Sequence, residues 1–161
     1  MPSKYLYSFC CITVSLQLIA LSLMVVIGYL VAPVLFHYLP DKTAGDIAGR
    51  LFDISSYVYL IVFTCILVLV KLQRQIGFVF WSSMINLVII LFIIFLLAPW
   101  MAEIKSLYSD GGLKKSVDWP LFASLHGVYQ LGYVLVIMLL ILGIFQQFRW
   151  IRNAFIGLNV N

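Results

Sequence analysis

Acidic and basic residues divide the chain into four long uncharged stretches, Tyr5 to Pro40, Ile54 to Val70, Gln75 to Ala102 and Trp119 to Phe148. A bilayer core about 30 Å thick is crossed by roughly 20 helical residues at 1.5 Å each. Three stretches exceed that length, and the second, with 17 residues, needs Asp53 or Lys71 at an interface. A membrane β-barrel would alternate in polarity over segments of about ten residues, whereas these stretches are apolar on every face. The pattern predicts an all-α, integral membrane four-helix bundle, left-handed in packing. A single transmembrane domain over 1–161 is expected, with helices at about 9–38, 54–70, 76–100 and 120–148 and an amphipathic lead-in to the second from 43.

Local punctuation refines these limits. Pro40 disfavours helix at Leu39, so the first helix should stop there. Thr43, three residues before Asp46, resembles a capping box opening the lead-in. Pro99 with Trp100 should close the third helix, and Trp119 with Pro120 should open the fourth; each pairs a helix punctuator with an interfacial aromatic. Tyr5, Tyr7 and Tyr108 extend that aromatic belt. Pro33 removes the hydrogen bond to the Tyr29 carbonyl and predicts a kink near Gly28 to Pro33.

Composition agrees with the pattern: 64% of residues are hydrophobic and 10% charged, with a mean hydropathy of +1.10. Soluble chains hold about 45–50% and 25%, so neither a soluble globule nor a disordered chain is compatible. The first apolar stretch is too long for a signal peptide and lacks a small-residue cleavage site, so it should be retained. Residues 7–10, Tyr-Ser-Phe-Cys, lack the small-residue context of a lipoprotein signal. Cys10, Cys11 and Cys65 lack the spacing of a redox or zinc pair and read as small hydrophobes.

Lys4, Lys71, Arg74, Arg149 and Arg152 share the side that holds the termini, while Lys42, Arg50, Lys105, Lys114 and Lys115 lie opposite with all six acidic residues. The first set sits in short segments close to the spans, which places both termini in the cytoplasm. The net charge of +4 suggests a basic rim against anionic lipid and no nucleic-acid partner.

Candidate chemistry is sparse. No phosphate-binding loop, dinucleotide fingerprint, paired-His helix motif or nucleophile triad occurs. Asp46, Arg50 and Asp53 fall on one face of the lead-in, opposite Ile47, Leu51 and Ile54, and read as a salt-bridged interfacial helix. Ala44, Gly45, Ala48 and Gly49 form a small-residue ridge that, at a membrane edge, is a weak contact signal. In the fourth helix His126, Tyr129, Gln130 and Tyr133 share a stripe that should face the bundle interior. Ser22, Thr64, Asn86 and Gln130 lie at similar depth and are expected to form a bundle polar layer, either interhelical glue or the lining of a path. His37 and His126 are on one side of the membrane, with Met101 near the same face. No cofactor is expected, and the alternative is haem or copper held by the two imidazoles.

Gly28, Pro33, Leu35-Phe36, Leu39-Pro40, Ala44-Gly45 and Leu51-Phe52, with Phe122 and His126-Gly127, follow one another as in the transmembrane protein 205 family. The chain resembles these small polytopic proteins, which contain a domain of unknown function, over nearly its whole length and most specifically from Pro33 to Phe52. The resemblance implies a four-helix membrane domain without an established reaction. It includes the His-Gly of the last helix but fixes no histidine at His37, which favours His126 as the single candidate. The compact form looks like a bacterial member of the cytoplasmic membrane. The residues together suggest an interaction or accessory component that meets the lipid bilayer and a homo-oligomer or partner membrane protein. The alternatives are small-solute or metal transport through an oligomer, the redox module above and, weakest, a lipid-directed enzyme using Asp46, Arg50 and Asp53.

Overall fold

In the computed structural model, which describes residues 4–72, 77–108 and 112–158, with side chains over 8–72, 77–108 and 112–153, the four spans are four helical rods. The first comprises α1 (Lys4–Val25), a π-helical segment (Val26–Val31) and α2 (Ala32–Tyr38). The second is α3 (Asp41–Leu72), and the third joins α4 (Phe78–Phe92), a π segment (Ile93–Leu97) and α5 (Ala98–Ser106). A 3-10 turn (Gly112–Lys115) leads to the fourth, α6 (Trp119–Leu158). Each rod contains a segment long and apolar enough to cross a membrane. Among the described residues there is no strand.

Two expected boundaries hold and two do not. Leu39 is extended, at φ −120° and ψ 153°, so the first rod ends before Pro40 as the steric rule requires. Trp119 opens α6 with Pro120 in its first turn, where the missing N–H has no helical acceptor to lose. The second rod, however, starts at Asp41, and Thr43 lies inside its first turn instead of capping it. The third rod runs through Pro99 to Ser106 instead of closing there. Tyr5 and Tyr7 fall outside the described side chains.

Pro33 and Pro99 are absorbed by the same device. Each follows an alanine, and each Ala-Pro pair is preceded by a π segment in which the alanine N–H reaches five residues back, Ala32 to Ile27 and Ala98 to Ile93. The wider turn accommodates the ring where proline would collide with the carbonyl of Tyr29 or Phe95. The kink expected in the first rod is therefore a π segment, and the third carries a second.

The first rod packs on the second and fourth, and the third also packs on the second and fourth, so sequence neighbours stand side by side. Met24, Phe63, Ile66, Ile90, Val136 and Leu140 are at most 1% exposed and fill the centre. Because lipid is as apolar as these side chains, close fit rather than expulsion from water holds them together. Small residues set the approach. Ala44 and Ala48 are buried where α3 meets α2, and Gly45 lies under the Phe36 ring, so the ridge is a packing surface. Ile47 and Ile54, on the apolar side of the lead-in, are exposed on the outside of the bundle.

Gly143 makes room for an amide. A Cβ there would stand 2.9 Å from Gln17 Nε2. Gly143→Val should destabilise the detergent-solubilised protein by about 1–3 kcal/mol, the usual range for overpacking, and Gln17→Ala in the same chain should recover most of the loss. Equal thermal midpoints for wild type and Gly143→Val would show that the two side chains do not meet.

Candidate functional site

Helical phase separates residues that the sequence groups by depth. The inward line of α6 is Leu125, Tyr129, Tyr133, Val136, Leu140 and Ile144, spaced by three or four residues. His126 and Gln130 each follow an inward residue by one position, about 100° around the helix, and are exposed. The expected stripe is thus split, with its tyrosines inside and its His and Gln outside. The expected polar layer is split too: Asn86 is buried, whereas Ser22, Thr64 and Gln130 face outward from three different rods. The Thr64 hydroxyl donates to the Leu60 carbonyl at 2.7 Å, which satisfies it within its own helix.

Outside the bundle, Gln130 Nε2 lies 3.1 Å from His126 Nε2, and the His126 ring stacks nearly parallel on Phe122. An amide nitrogen only donates, so in this arrangement His126 accepts at Nε2 and carries its proton on Nδ1. One donor remains on His126 Nδ1, and a donor and an acceptor remain on the Gln130 amide. His37 is exposed and edge-on to Tyr38, with ring centroids 4.8 Å apart. The two imidazoles therefore have separate partners. Among the described residues, no three His, Cys, Asp or Glu gather where a metal ion could be held.

The interior has polar groups that depth alone does not reveal. Towards the end of the bundle that holds the chain termini, Thr13, Gln17 and Gln147 are buried. Thr13 Oγ1 lies 3.2 Å from Gln147 Oε1 and 3.0 Å from the Cys10 carbonyl oxygen, and its single proton serves one acceptor at a time. Thr13 and Gln147, with Gln146, form the polar side of a cavity of about 310 Å³ whose apolar walls include Phe9, Phe78 and Trp150. Gln17 Oε1 and Asn86 Oδ1, both buried, have no hydrogen-bond partner among the described residues. They recur at helical spacing with the buried core positions of their rods, a phase that the nearly uniform apolarity of these helices hides in the sequence, and the sequence reading passed over Gln17 and Gln147.

Nearer the other end, the Tyr59 and Tyr133 hydroxyls are 3.1 Å apart, and Phe52 is edge-on to Tyr129 and Tyr133. The Tyr133 ring packs on the first rod at Gly28, where a Cβ would meet it at 3.4 Å. Beyond them lies a charged clasp. Lys105 Nζ donates to Asp46 Oδ1 at 2.8 Å and reaches the Gly45 carbonyl at 3.4 Å, while Lys114 pairs with Asp41. These contacts tie the start of α3 to α5 and to the turn before α6. Arg50 and Asp53 are exposed and do not join Asp46 in an ion-pair set; neither is in a salt bridge among the described residues.

The family described as a domain of unknown function, DUF4149, matches residues 9–109, from the first span to just past the third. The chain belongs to the DUF4149 family. No curated protein and no solved structure matches it. The matched stretch of this DUF4149 protein holds both π segments, Gln17, Asn86 and Lys105 with its acceptors, while the fourth span with His126 and Gln130 lies beyond it.

On the connection between the third and fourth spans, Tyr108 Oη donates to Asp118 Oδ2 at 2.7 Å. That bond holds the phenol above its ordinary value, because ionisation would break it and set an anion beside the carboxylate. The contribution to the folded connection is present below about pH 10, the unperturbed tyrosine value, and is lost as pH rises through the raised one. Asp118→Asn should move the Tyr108 phenolate transition, followed by ultraviolet absorbance against a Tyr108→Phe reference, to lower pH. An unmoved transition would contradict the bond.

Proposed function

We propose that this DUF4149 protein is an interaction or accessory component of a bacterial cytoplasmic membrane, with both termini in the cytoplasm, working through the outer face of its fourth span. Kinship with the transmembrane protein 205 family is part of this reading. The observation that carries it is the outward-facing His126–Gln130 pair. Gln130 lies eleven residues beyond the interfacial Trp119, about 16 Å along the helix, which is close to the midplane of a core about 30 Å thick. Intramembrane polar side chains are expensive and usually face protein. The bond to His126 uses one hydrogen-bonding site of the Gln130 amide and leaves the others in hydrocarbon, so a transmembrane helix laid against this face would satisfy them.

Conduction through one bundle has less support. Three of the four residues expected to line a path, Ser22, Thr64 and Gln130, point outward on separate rods, and the centre is closed by Met24, Phe63, Ile66, Ile90, Val136 and Leu140.

Val134 lies one turn along α6 from Gln130 and is exposed; Ile61 is exposed on α3. A photo-crosslinking residue at Val134 should give a protein adduct of defined mass in native membranes, whereas the same residue at Ile61 should give lipid adducts only. Lipid adducts alone at both positions would contradict the proposal.

A further inference from the structure

The unfilled face of the fourth span has a composition that selects its partner. Ala123, Gly127, Gln130 and Val134 recur at i, i+4, i+7 and i+11 and form one stripe, with His126 at its edge. Ala123 and Val134 are exposed, and apart from its chain neighbours and its own helix backbone nothing lies within 4 Å of where a Cβ on Gly127 would stand. Ala123 and Gly127 make a small-xxx-small pair, the arrangement that lets two transmembrane backbones approach closely. Between Gly127 and Val134 sits the one amide of the stripe. This face thus combines a close-approach surface with a hydrogen-bonding group near the midplane.

Resting on the proposed function above, we infer that the helix covering this face is the fourth span of a second copy of this chain, in a two-fold dimer whose axis runs along the membrane normal. Copies inserted in the same orientation present each residue at the same depth, so an isologous contact brings Gln130 to Gln130 and Gly127 to Gly127. A primary amide is its own complement: each Gln130 can donate from Nε2 and accept at Oε1, so two of them exchange two hydrogen bonds. The bond to His126 consumes only one Nε2 proton and leaves the donor and acceptor that the exchange requires. The stripe has no charged side chain to select an acidic or basic partner. Equal depth, small residues and a self-complementary amide therefore point to the same occupant.

The test uses the full chain with Cys10, Cys11 and Cys65 replaced by Ala, reconstituted in phosphatidylcholine vesicles with a single new cysteine at Ala123, Val134 or, as control, Ile61. Mild oxidation should give a disulfide-linked band at twice 18.3 kDa for Ala123→Cys and Val134→Cys and none for Ile61→Cys. Gln130→Leu should raise the dimer dissociation constant, read by energy transfer on dilution in lipid, by roughly tenfold, about the worth of interhelical hydrogen bonding in membranes. Helix content and thermal midpoint of the monomer should be unchanged, because Gln130 is on the outer surface. Linking at Ile61 equal to that at Val134, monomer at all three positions, or an unmoved constant in Gln130→Leu would overturn the inference. A Val134 photo-adduct with a protein of another mass in native membranes would leave the interaction face standing and remove the second copy from it. Lipid adducts alone would remove both.

Discussion

The hydrocarbon zone offers a polar side chain no water, so each such group must be satisfied by its own helix, by a neighbouring helix or by a molecule outside the bundle. The described residues show the first two routes, and Gln17 Oε1 and Asn86 Oδ1 have no partner among them. Thr64 bonds back to its own helix, and Thr13 with Gln147, and Tyr59 with Tyr133, bond between rods. Gln130, bonded within its helix to His126, has capacity left over on the outside. How the polar groups are distributed among these routes separates the contacts that hold the bundle together from the outer face on which the proposed interaction rests.

The same constraint shapes the backbone. Two prolines stand inside transmembrane rods, and in each case a π segment shifts the hydrogen-bond register so that the preceding alanine still finds an acceptor. Small residues stand at the close contacts, Ala44, Ala48 and Gly45 by α2 and Gly28 by Tyr133, and at Gly143, beside Gln17, a side chain would force its neighbour to shift. The two ends of the bundle differ in kind. The end that holds the termini has neutral amides and a hydroxyl around a cavity, while the other is fastened by Lys105 and Lys114 to aspartates of α3.

The number of spans and the break at Leu39-Pro40 were legible because they depend on charge spacing and on one steric rule. Rotation about each helix axis was not. A helix apolar on nearly every side gives no phase from composition, so Gln130 and Tyr133, three residues apart, look equivalent in sequence and point to different sides. For the same reason depth alone grouped Ser22, Thr64 and Asn86, which the helices then turn apart. Pro99 misled because a proline reads as a stop when the π turn that absorbs it has no signature beyond the Ala-Pro that follows. The small-residue ridge at 44–49 was visible in sequence; its weight was not, since it depends on Phe36 and α2 being opposite it.

The orientation of the fourth helix is what everything else rests on, and oxygen accessibility of spin labels placed singly from 121 to 145, in vesicles dilute enough to hold monomers, reads it directly. Accessibility should fall to minima at 125, 129, 133, 136 and 140, with 126 and 130 well above them. Minima at 126, 130 and 134 in the monomer would mean that His126 and Gln130 face the core, and would contradict the account.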